Sequence, residues 1–277
     1  MGAALALLSS VSWGIADFFG GKTSRVMHPF AVFAWSQVIG IVFMGAIVLA
    51  TGAWHADPVF WPWSILGAIC GTAGMTLFYS AMATGKIGIV SPIVSLAVIV
   101  PLAAGLIRGE MPHSIQVLGI ISAVGGVVLA SGPELTGAAS PKPVLLAIAS
   151  AFVLGFMFIT ISEGSKIDPI MSTFGIRVAT TVIVLVVFAI TRSRGGISRA
   201  TVVPIIVIGV LDVTANVLFG IASTMGMLSV LSVLGSLYPI VTVLMAWWFL
   251  HERLKLVQYF GIAFALLGVV LISSGGI

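Results

Sequence analysis

The chain has 277 residues, of which 60% are hydrophobic and 7% charged, with a formal net charge of +4. A soluble protein carries roughly 45–50% apolar and about 25% charged residues, so a water-soluble core cannot absorb this much apolar surface. Nucleic-acid binding is excluded as well, because no basic cluster interleaves with aromatic side chains; the surplus cations are the loop charges of a membrane protein.

A helix crosses the hydrocarbon with about 20 predominantly apolar residues. Ten such runs succeed one another, over residues 2–21, 29–51, 58–84, 87–107, 114–132, 143–162, 169–191, 202–224, 226–250 and 256–275. The first lacks the basic start of a cleaved signal peptide and outruns the roughly 7–15 apolar residues of one, so it is expected to remain as a helix. Between Arg199 and His251 the only charge is Asp212. The eighth and ninth spans therefore nearly abut, with their turn at Thr224, Met225 and Gly226. Cys70 is the single cysteine, which excludes an internal disulfide framework. The fold class is an all-α membrane protein of ten transmembrane helices.

Shifted by about 141 residues, the chain matches itself. QVLGIISAVGGVVLAS from Gln116 pairs with QYFGIAFALLGVVLIS from Gln258, and Glu110 falls on Glu252. Leu77, Phe78, Ala81, Gly85 and Ser95 meet Leu218, Phe219, Ala222, Gly226 and Ser236, and Pro29 and Pro169 open the second and seventh spans. The chain thus divides into residues 1–136 and 137–277, each holding five crossings. Five is odd, so the second copy enters the membrane in the opposite sense. Two inverted five-helix repeats are a recurrent transporter architecture, with the site near the midplane where the halves meet.

These residues carry a family resemblance. Trp13-Gly14, Ser91-Pro92, Leu237-Tyr238-Pro239, and the glutamates Glu110 and Glu252, each followed by a helix ending in GVVL, resemble the ten-helix EamA branch of the drug/metabolite transporter superfamily across the whole chain. The resemblance implies secondary transport through a cavity lined by the first, third and fourth helices and their second-half counterparts, with the fifth and tenth outside. Its substrates include amino acids, sugars and nucleobase-like compounds. The surroundings of Asp17, Asp212 and Asn216 are similar to a bacterial branch, which implies a multi-pass protein of the inner cell membrane.

A charge at the bilayer centre costs at least about 2.5–3.5 kcal/mol, so each one there calls for a partner and a role. Asp17, Arg177 and Asp212 qualify. Gly209, Asp212, Asn216, Gly220 and Ser223 share one helical face, where Asp212 would bind a proton or a cationic group and Asn216 would add a donor and an acceptor. The first-half stripe reads Ala68, Gly71, Met75, Tyr79 and Met82, so the site is asymmetric. Asp17 shares a face with Ser10 and Trp13. Deep, it would join Asp212, with Trp13 stacking on substrate or a cation; shallow, it would pair with Lys22 or Arg25. Arg177 takes Asp17 or Asp212 as a structural partner or holds a substrate carboxylate; its repeat counterpart is Gln37. Ser95 and Ser236 lie on matching hydroxyl stripes that either meet substrate or permit close packing. Tyr79 and Tyr238 complete the candidate site. Glu110 and Glu252 are expected to cap or dock the fifth and tenth helices.

The expected partners are a small-molecule substrate, protons and the lipid bilayer, with no nucleic acid, cofactor or metal, in a monomer or weak homodimer. An intramembrane enzyme is the main rival, but His28, His55, His113 and His251 fall at loops or helix ends, and no HExxH or GxSxG motif occurs. A non-transporting scaffold would leave three intramembrane charges without a purpose. Loop charges give a conflicting orientation. Lys22, Arg25, Lys86, Lys142, Arg192, Arg194, Arg199, Arg253 and Lys255 fall on one side, and only Arg108 and Lys166 on the other. The positive-inside rule then puts both termini outside, whereas the resemblance implies both in the cytoplasm.

Overall fold

The computed structural model describes residues 1–55, 58–85, 87–131, 141–191, 196–250 and 255–274. The docking role expected of Glu252 lies outside the described residues, as do His251, Lys86, Arg192, Arg194 and Arg253 and the side-chain surroundings of Pro92. The α-helices are α1 (Gly2–Thr23), α2 (Pro29–Thr51), α3 (Trp61–Thr84), α4 (Ile87–Ser95), α5 (Ile99–Ile107), α6 (Ser114–Ser131), α7 (Pro141–Ser165), α8 (Pro169–Thr191), α9 (Arg199–Ser223), α10 (Leu228–Gly235), α11 (Tyr238–Leu250) and α12 (Leu256–Ser274). Hydrocarbon offers no water to the backbone, so each segment must satisfy its own N–H and C=O groups, which a helix does.

Local chemistry sets the ends. The Asp168 carboxylate accepts the N–H groups of Ile170 and Met171 at 2.8 and 2.7 Å, satisfying the first turn of α8. Ser198 and Thr201 form a reciprocal capping box at α9. Gly52, at φ 65°, closes α2 in the left-handed conformation that costs glycine least. The turn between α9 and α10 occupies residues 224–227.

Seven helical stretches are long and apolar enough to cross a membrane among the described residues: Gly2–Thr23, Pro29–Thr51, Pro58–Thr84, Lys142–Ser165, Pro169–Ile190, Arg199–Ser223 and Leu228–Phe249. Ile93–Ile107, Ser114–Gly126 and Tyr259–Gly268 are shorter apolar helices. Two runs expected as single helices are broken. α4 passes through a 3-10 turn at Leu96–Val98 before α5, and α10 stops at Gly235, before α11. Pro101 has no N–H for the Ala97 carbonyl and Pro239 none for that of Gly235, and each ring crowds the carbonyl four residues back.

The helices pack in exchanged pairs: α1 against α9 and α3 against α7, with α6 against α12 at the edge. Ser9 Oγ donates to the Ala215 carbonyl at 2.8 Å, and Ser150 Oγ donates to the Gly74 carbonyl at 2.8 Å. Both partners are displaced by 141 residues (150 − 9 and 215 − 74), with the roles of the halves exchanged. The close approaches repeat in the same way. A Cβ on Gly14 would lie 2.6 Å from the Tyr238 carbonyl and 2.5 Å from Val241 Cβ. One on Gly155 would lie 2.6 Å from both the Ala97 carbonyl and Val100 Cβ. α1 thus runs against α11 as α7 runs against the segment before α5.

Candidate substrate-binding site

Where these helices meet, a cavity is lined by α1, α2, α3, the turn before α5, α7, α8, α9 and α11. Its wall is largely apolar, with Phe33, Met75, Phe78, Met157, Phe158 and Ile161 prominent. Its charges are Asp17, Arg177 and Asp212, and Trp13, Thr180 and Tyr238 also face it.

Arg177 comes from the middle of α8 and is 3% exposed. Its Nη1 lies 2.8 Å from Asp212 Oδ2 and donates to Gln37 Oε1 on α2. Of the two carboxylates weighed from the sequence, Asp212 is the one that pairs with it. Asn216, one turn along α9, donates through Nδ2 to Asp212 Oδ1 at 3.0 Å and to the Asp212 carbonyl at 2.6 Å. Asp212 is therefore held by neighbours on two helices. Gln37 and Asn216 are buried behind this pair and are absent from the residues lining the cavity. Gly40 packs beside this group: a Cβ there would lie 3.2 Å from Val213 and in ordinary contact, 3.7 Å, with Arg177 Cδ.

Asp17 lies on α1, one turn beyond Trp13, and is 5% exposed. It is buried within the helix bundle, and among the described residues no ion pair joins it to Lys22 or Arg25. It lies within electrostatic reach of Asp212, Tyr79 and Tyr238. Trp13 is fixed by an aromatic cluster spanning α1, α7 and α9, with ring centroids 5.4 Å from Phe158 and 5.7 Å from Phe219, and Phe158 and Phe219 4.9 Å apart. Such pairs contribute about 0.5–1.5 kcal/mol each beyond area burial.

Three expected site residues lie elsewhere. Tyr79 is buried with its ring tip against Gly20, behind the wall of the cavity. Ser95 and Ser236 line a separate small pocket with Ala123, Val124, Val233 and Leu237. Ser236 Oγ donates to the Val233 carbonyl at 2.9 Å, an intrahelical bond that any membrane-buried serine can make. Glu110 also departs from expectation. Its carboxylate accepts the N–H of Leu228 at 3.1 Å and of Ser229 at 2.9 Å, so it caps α10 in the other half and not its own following helix.

The lining follows the repeat. Trp13 and Leu154, Asp17 and Phe158, Gly71 and Asp212, and Ala97 and Tyr238 all face the cavity, each pair 141 residues apart. Applying that shift to Trp13 and Asp17 would have found Leu154 and Phe158. No polar signal marked them, because Leu154 and Phe158 are apolar.

The EamA-like transporter family model matches residues 1–132 and 141–274. The chain belongs to the EamA-like transporter family. It is thereby a multi-pass membrane protein of the drug/metabolite transporter superfamily, a group that moves small compounds. A crystal structure described only as that of a protein superposes with a TM-score of 0.78 at 15% identity, covering 98% of both chains; it bears on the fold alone. No curated protein matches the chain.

Proposed function

We propose that this EamA-family chain is a secondary transporter that carries a small polar metabolite across a bacterial inner membrane by alternating access. The candidate classes are amino acids, nucleobase-like compounds, sugars and organic cations. The observation that carries the reading is the set of Asp17, Arg177 and Asp212, the first two buried and Asp212 partly so, drawn from both halves of the chain and all facing one cavity. Each such charge costs at least about 2.5–3.5 kcal/mol to hold in hydrocarbon. A bundle needing only stability would do better with apolar side chains.

In this reading the seven long stretches, together with α4–α5, α6 and α12, make ten crossings. Residues 1–136 and 137–277 form inverted repeats that rock about the cavity. The exchanged Ser9 and Ser150 bonds support this, as do the two stretches matched by the family model. So does the Arg177–Gln37 hydrogen bond, because counterparts in two repeats touch only beside the axis relating them. Two carboxylates facing one guanidinium leave an excess negative charge that a bound proton would balance. This supports proton coupling.

The test is counterflow in proteoliposomes loaded with each compound class and given the labelled compound outside. Accumulation of one class, saturating with concentration, is expected. A folded protein that accumulates none, or that converts a compound chemically, would refute the reading. We take the working unit to be a monomer or weak homodimer.

A further inference from the structure

The cavity's unmet bonding capacity narrows the substrate class, on the basis of the transport reading above. Arg177 Nη1 serves both Asp212 and Gln37, but Nε and Nη2 are buried and have no hydrogen-bond partner among the described residues. A guanidinium stays charged and offers its donors as a planar fork that fits a carboxylate. A buried donor with no acceptor carries a desolvation penalty that a ligand's acceptor relieves. On the opposite side of the charge balance is Asp17. It faces the same cavity, is 5% exposed, and has no paired cation among the described residues.

Each simpler ligand leaves one of these groups unmet. A monocation answers Asp17 and leaves the Arg177 fork empty. A monoanion answers the fork but brings a third negative charge to a site that already holds two carboxylates and one guanidinium. An uncharged sugar neutralises neither. We propose that the cavity binds a small zwitterion, its ammonium group at Asp17 and its carboxylate on the Nε and Nη2 edge of Arg177. Trp13, one turn before Asp17, presents an aromatic ring beside the ammonium position. Phe33, Met75, Phe78 and Met157 require the rest of the ligand to be apolar. The recognition is two-point, so distance between the charged groups is part of the specificity. Asp212 acts here as a positioning residue, holding the guanidinium through Nη1 and leaving Nε and Nη2 for the ligand.

The experiment leaves Arg177 intact, since replacing it would also break its bond to Asp212. The purified full chain is titrated, with thermal stabilisation as readout, with leucine, methionine and phenylalanine. It is then titrated with their amides, which keep the ammonium and lose the carboxylate, and with isocaproate and hydrocinnamate, which keep the carboxylate and lose the ammonium. At least one zwitterion is expected to bind with a Kd about tenfold or more below those of its amide and its deamino acid. In Asp17→Asn the gap between phenylalanine and hydrocinnamate is expected to shrink.

An amide binding as tightly as its parent would overturn the role of Arg177. A deamino acid binding as tightly, or an unchanged gap in Asp17→Asn, would overturn that of Asp17. Binding by none of the zwitterions overturns the substrate class. In that case counterflow of a sugar, nucleobase or organic cation leaves the transport reading standing, and failure of every class there removes it.

Discussion

Asp17 and Asp212 are chemically alike, yet their neighbours give them different work. Asp212 is paired with Arg177 and braced by Asn216, so Asp212→Asn removes the partner of a buried guanidinium. Breaking such a pair costs about 3–5 kcal/mol, because the surviving charge stays buried. A large drop in the melting temperature of Asp212→Asn is therefore expected. Asp17 has no ion-pair partner among the described residues, and Asp17→Asn is expected to keep the wild-type melting temperature or raise it while changing ligand binding. Equal melting temperatures for wild type and Asp212→Asn would contradict this division. That Asp212 and Asn216 share one face of α9 was legible in the sequence because helix geometry fixes it. The choice of Asp212 over Asp17 as partner of Arg177 was not, because it depends on how α1, α8 and α9 are rotated about their axes.

The helices owe their contacts to small residues placed where backbones nearly touch. Gly14→Ala and Gly155→Ala each drive a Cβ into a neighbouring carbonyl and a valine Cβ. Both are expected to destabilise the protein by about 1–3 kcal/mol, the usual cost of overpacking. Gly45→Ala meets nothing within 4 Å and should be neutral or slightly stabilising, since alanine is the better helix former. Thermal unfolding of the three variants in detergent checks the contrast, and equal losses in all three would refute the packing account.

Glu110 ties the segment after α5 to the start of α10. Glu110→Ala should lower stability by about 0.5–2 kcal/mol, as loss of a helix cap does, measured in the same assay. Apolar run length made most helices readable, and Pro101 and Pro239 announced the weak points of the fourth and ninth spans. The cap did not announce itself: a carboxylate ahead of a helix resembles a cap for that helix, and its real partner lies 118 residues away in sequence.

Over the whole molecule, the proposed ten crossings would put both termini on one face of the membrane, whereas an odd number would part them. Tags at the two ends, probed with an impermeant protease in sealed vesicles, should be cut from the same side. Cleavage from opposite sides would remove the inverted-repeat reading. The repeat was visible in sequence through its GVVL blocks and glutamates, and it carried the apolar frame of the cavity with it. Its polar content was harder to read. From the sequence Ser95 and Ser236 could equally meet substrate or permit close packing, and only the fold places both in a small pocket apart from the main cavity.

Alternating access is the central claim, and the single native cysteine makes it accessible to direct measurement. Thr180→Cys in a Cys70→Ser background puts one thiol on the cavity wall. Its reaction with a membrane-impermeant maleimide is followed in vesicles of each orientation. The account predicts labelling from both faces, slowed by the transported compound. Labelling from one face only, unaffected by every compound tested, would mean a fixed pocket and would contradict it.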